Sequence, residues 1–368
     1  MKQLASLVLA ASASAVSHAA LVELADVAQL DARGDHACVV TTGGAVKCWG
    51  ANGSGQLGGG STSTRLAAGP VTGLSSGAVA VAVNGSHSCA IVSGGGVKCW
   101  GANGNGQLGD GTTTNSAVPV DVQALPWPVA SLSLGVDYTC ALSSGGAAAC
   151  WGANASGQLG DGTTTQRLAP TPVSGLSSGA LAISAGRAYT CAIVTPGAVK
   201  CWGANGGQLG TGATPSLTPA DVAGLPSSGA TSISTGGSPG AMFSSETAYA
   251  CAIVAGATKC WGYVDAVQLG GPYSAPSDVS GVAGGALAIT SGGGRGFTGV
   301  LQGTFTYAQN CVVGASNGVQ CWGQNYCGIV GVATGADCTS LGQFSTLPPT
   351  DVPGLASGVA SVSAASTF

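Results

Sequence analysis

Residues able to do chemistry are few in this chain, and most of them are cysteines. Twelve of the 14 form six pairs, Cys38 with Cys48, Cys89 with Cys99, Cys140 with Cys150, Cys191 with Cys201, Cys251 with Cys260 and Cys311 with Cys321; Cys327 and Cys338 stand apart. Nine residues separate the members of a pair, or eight in the fifth. Zinc sites use shorter spacings and histidine partners, and this chain has only 3 His, so no metal or other cofactor is expected. His36 and His87 each stand two residues before the first Cys of a pair, where the other pairs have Tyr138, Tyr189, Tyr249 and Gln309. A position that accepts His, Tyr or Gln reads as a packing and hydrogen-bonding site rather than a general base. Asp110 and Asp161, in Gly-Asp-Gly-Thr, look like fragments of a calcium loop, but Gly59 and Thr211 replace them elsewhere, and turn formation explains them better. Gly292-Gly293-Gly294 is followed by no helix start that could receive a phosphate. Asn52, Asn84 and Asn154 open glycosylation sequons, which count only in a host with the machinery. No catalytic residue is expected.

The spacing of these residues exposes the elements that hold them. The second cysteine of each pair opens Cys-Trp-Gly, six times in all, and successive first cysteines lie 51, 51, 51, 60 and 60 residues apart. A period of this length marks a repeat architecture. Residues 79–122 show its grammar: short apolar, β-branched pieces bounded by Gly, Asn, Ser or Pro, four per unit. No segment after the N-terminus keeps a helical period. The reading is all-β, with units starting near residues 27, 79, 129, 180, 230, 286 and 359, in one domain over 20–368. Opposed positions on an antiparallel pair reach disulfide distance, so the six pairs are expected as bridges within units. Cys327 and Cys338 would close a loop inserted in the sixth unit. Trp, next to Cys, points to the other face of its strand and is expected between units; Trp127 lies in a connection and is expected exposed.

The run from His-Ser-Cys-Ala-Ile at 87–91 through Val-Lys-Cys-Trp-Gly at 97–101 to Gly-Gln-Leu-Gly-Asp-Gly-Thr at 106–112 resembles the regulator of chromosome condensation repeat family, especially secreted, cysteine-bearing bacterial-type members. Gly-Gln-Leu-Gly recurs at 55–58, 106–109, 157–160 and 207–210, shrinks to Gln268-Leu269-Gly270 in the fifth unit and is lost from the sixth. The resemblance implies a β-propeller of four-stranded blades, usually seven. Here six full units are followed by Val359-Ala360-Ser361-Val362-Ser363, one strand of a seventh. Two readings stay open: a truncated seventh unit, or six blades that close with a terminal strand paired to Val27–Arg33. Family precedents are guanine-nucleotide exchange for a small GTPase and, more distantly, inhibition of β-lactamases by secreted propellers.

Composition narrows the partner. Lys+Arg 10 against Asp+Glu 14, with no basic run, disfavours nucleic acid. Lys2, the apolar stretch Leu4 to Val16 and small residues at Ser17 and Ala19 read as a signal peptide over 1–19. No later stretch has the roughly 18 apolar residues of a membrane span. A secreted or periplasmic monomer is expected. The units differ where binding is expected: insertions fall around Gly236 to Thr247, Gly292 to Gln309 and Gln324 to Phe344. In a four-stranded meander these share one rim. They carry Met242, Phe243, Arg295, Phe297, Leu301, Phe305, Tyr307 and Tyr326, an apolar and aromatic set of the kind interface cores use. The expected function is capture of a protein, not yet identified, through that rim; the alternative is a propeller hydrolase or lyase working in the central channel, where Asp31 is the lone acid.

Overall fold

The computed structural model describes residues 26–211, 214–238, 247–263, 273–282, 284–297, 304–325, 345–353, 355–357 and 359. Cys327, Cys338, Met242, Phe243, Leu301, Tyr326 and the N-terminal residues 1–19 lie outside them.

Six four-stranded antiparallel sheets follow one another as blades of a β-propeller, each an up-and-down meander in chain order. Blade 1 comprises β1 (Val27–Arg33), β2 (His36–Thr41), β3 (Val46–Gly50) and β4 (Arg65–Pro70). Blade 2 comprises β5 (Ala78–Asn84), β6 (His87–Val92), β7 (Val97–Gly101) and β8 (Ser116–Asp121). Blade 3 has β9 (Val129–Leu134), β10 (Tyr138–Ser143), β11 (Ala148–Gly152) and β12 (Arg167–Pro172); blade 4 has β13 (Ala180–Ala185), β14 (Tyr189–Val194), β15 (Ala198–Gly203) and β16 (Ser216–Asp221). Blade 5 has β17 (Ala230–Ser238), β18 (Thr247–Val254), β19 (Ala257–Tyr263) and β20 (Tyr273–Asp278); blade 6 has β21 (Ala288–Phe297), β22 (Thr304–Val313), β23 (Val319–Asn325) and β24 (Ser345–Asp351). Among the described residues no helix is long and apolar enough to cross a membrane.

Cysteine register sets the second and third strands of every blade. Cys38 opposes Cys48, and the same pairing holds in the other five blades, with Cα atoms 4.0 to 4.1 Å apart and all six bridges formed. The one-residue deletion in the fifth unit is absorbed in the turn, where Val254 pairs with Ala257 across Ala255 (φ 51°) and Gly256 (φ 80°), a two-residue hairpin loop. After each Cys-Trp the third strand bulges at a glycine. Gly101 sits at φ 105°, and a Cβ there would lie 2.4 Å from the Ser86 carbonyl. Only glycine fits, which is why the Trp of each Cys-Trp pair is followed by it.

The core is a series of inter-blade clusters, not one central mass. The Cys38–Cys48 bridge meets Trp100 of the next blade, Cys89–Cys99 meets Trp151, Cys140–Cys150 meets Trp202, Cys191–Cys201 meets Trp261 and Cys251–Cys260 meets Trp322. Because neighbouring residues on a strand face opposite ways, each blade turns its disulfide forward and its indole back. Trp49 differs: it is half-buried, beside Ala32 and Ala37. Trp127 corrects an expectation. It packs on the Cys89–Cys99 cluster and is half-buried instead of exposed, because Leu125 and Val122 draw the connection inward.

Inner strands touch their neighbours in series, β1 with β5, β5 with β9, β9 with β13, β13 with β17 and β17 with β21, and among the described residues β21 makes no comparable contact with β1. Val27–Arg33 pairs with β2 of its own blade.

Candidate functional site

The Gly-Gln-Leu-Gly motif is a latch between blades. Its Gln carbonyl accepts the indole N–H of the next blade's tryptophan: Trp100 to Gln56 (2.8 Å), Trp151 to Gln107 (3.0 Å), Trp202 to Gln158 (3.0 Å) and Trp261 to Gln208 (2.9 Å). The motif's last glycine lies flat against that indole; a Cβ on Gly109 would stand 2.6 Å from Trp151 Nε1. Motif and tryptophan are therefore two halves of one contact.

The same carbonyls terminate a buried relay that explains His36 and His87. Ser88 donates to the Gln56 carbonyl (2.8 Å), which spends its proton, so it accepts from His36 Nε2 (2.7 Å); His36 is thus the Nε2–H tautomer. His87, Thr139 and Gln107 repeat the arrangement (3.0 and 3.0 Å), and Tyr138, Thr190 and Gln158 repeat it with a phenol (2.9 and 2.8 Å). Tyr189, whose next-blade neighbour is Ala250, donates to the carbonyls of Gly236 (2.9 Å) and Tyr249. Burial lowers both imidazoles to about 3, His87 with a further push from His36, so both are neutral. Burial likewise raises Tyr138, Tyr189 and Tyr249 above the ordinary phenol value.

The remaining polar candidates are also engaged. Asp31 Oδ2 accepts the Val83 amide (2.8 Å) and its Oδ1 the Ala32 amide (3.0 Å). Asp110 and Asp161 close their turns on Thr112 and Thr163; burial pushes Asp161 up, yet Thr163, Arg167 and Asn154 hold its carboxyl below the usual range. Asn52 and Asn154 are buried, with amides donating to Ser61, Ser63, Thr163 and Thr165 carbonyls, and Asn84 donates to the Leu134 carbonyl (2.6 Å), so these side chains brace loops.

Among the described residues, the first two strands of blades 5 and 6 run past the common unit at the rim formed by the turns between them. The first two strands have 9 and 8 residues in blade 5 and 10 and 10 in blade 6, against 6 or 7 elsewhere. In blade 6 the ladder runs out to Phe297 opposite Thr304, with Gly296 opposite Phe305, Arg295 opposite Thr306 and Gly294 opposite Tyr307. Four of the eight expected binding residues therefore stand on one projecting hairpin.

Sequence reasoning missed Asp137 and Arg187, in the corresponding turns of blades 3 and 4. Burial raises Asp137, and the Arg187 charge partly offsets it. The signal was available, since only 7% of residues are charged and Arg33, Asp35, Asp137 and Arg187 all fall in or beside these turns.

Family models described as "Regulator of chromosome condensation (RCC1) repeat" match residues 95–142 and 146–193, and residues 27–56 and 78–107. The mitochondrial RCC1 domain-containing protein RUG3 of Arabidopsis thaliana is 32% identical over 52% of this chain and 44% of its own length. The chain thus spans less than half of that relative. Among solved structures, Prp20p from Saccharomyces cerevisiae matches with TM-score 0.69 at 18% identity over 90% of this chain and 78% of its own, and human WBSCR16 with TM-score 0.71 at 17% identity over 92% and 84%. These likenesses concern the fold.

Proposed function

From a chain that carries repeats of the RCC1 family, built into disulfide-bridged propeller blades, we propose a secreted scaffold that binds another protein through the rim bearing the long hairpins of blades 5 and 6. The observation that carries this reading is the departure from regularity: β21 and β22 extend well past the common unit and bring Arg295, Phe297, Phe305 and Tyr307 onto one hairpin. Loops on a rigid scaffold are where propellers place recognition. Met242, Phe243, Leu301 and Tyr326 belong to the same three insertions in sequence and complete the proposed surface. Polar side chains in the blades are spent on joining one blade to the next, which favours a binder over a channel enzyme.

Six bridges support an oxidising compartment, in keeping with residues 1–19 as a signal peptide and a secreted or periplasmic monomer. Prp20p is described by its binding to Gsp1p and histones; the acidic balance of this chain, 10 Lys+Arg against 14 Asp+Glu, weighs against the same partners here. The test is affinity capture from the medium of the exporting cell with the intact protein and with Phe243→Ser, Phe297→Ser and Phe305→Ser combined. Loss of a captured protein with the triple variant supports the rim; undiminished capture defeats it.

A further inference from the structure

The last strand of each blade is its outer edge, and in five of the six blades that edge carries the same guard. The residue just before the one opposite the second cysteine is Pro119, Pro170, Pro219, Pro276 and Pro349 in blades 2 to 6. Proline has no amide to offer an incoming strand, and prolines on edge strands block edge-to-edge pairing. In blade 1 the same position is Ala68, just before Gly69, which opposes Cys48. Val71 donates its amide to the Val46 carbonyl of β3 (3.0 Å), and Gly69 shares that direction. Backbone groups alternate along a strand, so the amide and carbonyl of Ala68 turn away from β3 to the open side.

Blade 1 also lacks both carboxylates that neutralise the cations of this edge elsewhere. Lys98, Lys200 and Lys259 pair with Asp121, Asp221 and Asp278 at 2.6 to 2.8 Å. Their counterpart Lys47 stands opposite Pro70 and is exposed. In blade 3 Arg167 pairs with Asp161 at 2.7 Å. Its counterpart Arg65 has Gly59 in place of that acid: the guanidinium lies where a Cβ on Gly59 would stand, and it donates to the Pro70 carbonyl (3.3 Å). Among the described residues neither Lys47 nor Arg65 makes an ion pair. Beside them Leu66 is 91% exposed, whereas its counterpart Leu217 is 38% exposed and sits against Gly157 of the preceding blade.

We propose that β4 takes up an extended, acidic segment of another protein as a fifth strand of blade 1. Ala68 supplies the backbone pairing, Leu66 the apolar contact, and carboxylates on the segment replace those missing at Lys47 and Arg65. A second copy of this chain suits the edge less well. Set antiparallel against itself, β4 would bring the Arg65 of each copy to the Pro70 end of the other, where Lys47 stands, and like charges would face each other. The edge is formed by blade 1 alone and does not depend on the rim hairpins of blades 5 and 6.

The probe is the fluorescein-labelled peptide Asp-Val-Thr-Val-Glu-Val-Thr-Val-Asp, read by anisotropy against the intact, oxidised protein beside a peptide with Lys at every Asp and Glu. The acidic peptide should bind and slow amide exchange at Ala68; the basic one should not bind. Ala68→Pro, which gives blade 1 the residue of the other five edges, should weaken the acidic peptide by about tenfold with the unfolding midpoint unchanged. Lys47→Gln with Arg65→Gln should weaken it by about tenfold as well and remove its dependence on salt. No binding of the acidic peptide, equal binding of the basic one, or undiminished binding by either variant overturns the proposal. A dimer in sedimentation that Ala68→Pro dissociates would give the edge to a second copy and overturn it too.

Discussion

Trp151→Phe compared with Trp49→Phe is a sharp test of the latch. Trp151 is fully buried, donates its indole N–H to the Gln107 carbonyl (3.0 Å) and packs on Gly109 and the Cys89–Cys99 bridge. Phenylalanine removes that donor. The Gln107 carbonyl keeps Thr139 Oγ1 (3.0 Å), so it is not orphaned, and the lost hydrogen bond costs about 1 kcal/mol. The smaller ring leaves a gap that costs about 1–2 kcal/mol more. Together the loss is about 2–3 kcal/mol. Trp49 is half-buried in a cluster of two alanines, and the same change should cost about 0.5 kcal/mol or less. The assay is urea unfolding of the oxidised protein, with each loss read from the shift in midpoint multiplied by the slope. Equal losses at the two positions would refute the argument that the preceding blade's loop, and not the tryptophan's own blade, supplies the stabilisation.

Stability should rise with pH between about 3 and 6.5. His36 and His87 are neutral when folded, at about 3, and protonate near 6.5 when unfolded, so each contributes up to about 1.4 kcal/mol per pH unit, present above about 6.5 and lost as pH falls toward 3. His36→Gln with His87→Gln should flatten that slope in unfolding midpoints taken from pH 4 to 7. Gly152→Ala, at φ 108° and with its Cβ 2.6 Å from Tyr138 Cα, should cost about 2–4 kcal/mol, whereas Gly104→Ala, with open space around it, should be close to neutral in the same assay. Thiol titration of the denatured, unreduced protein should leave the 12 paired cysteines unreactive, and reduction should lower the unfolding midpoint, each short loop contributing roughly 2–3 kcal/mol at most.

The strands and the six bridges were legible because a repeated Cys register and β-branched runs bounded by glycine are local signals. Even the fifth unit's shortened turn could be read from the count alone. The latch could not, because its acceptor is a backbone carbonyl: Gln56 matters to Trp100 for its place in a turn, and side-chain type does not encode that. The same holds for Ser88, Thr139 and Thr190, which precede the first cysteines of blades 2, 3 and 4, look like surface polar residues and are in fact buried between His or Tyr and the neighbouring loop. Trp127 lies in a connection, where sequence gives no sign of burial, yet its aliphatic neighbours Val122 and Leu125 tie it to a cluster from two blades. Of the expected binding surface, sequence identified the inserted residues, and the ladder through Phe297 and Thr304 gives the sixth-unit insertion a hairpin form that spacing did not foretell.

At five successive junctions a unit's sulfur-bearing side packs on the ring-bearing side of its successor. Such modules add in one direction, like links with a hook and an eye, and no single link records how many belong in the chain. Duplication or loss of a unit would therefore leave every surviving junction chemically intact, so the size of the wheel can drift during evolution while its joints stay the same.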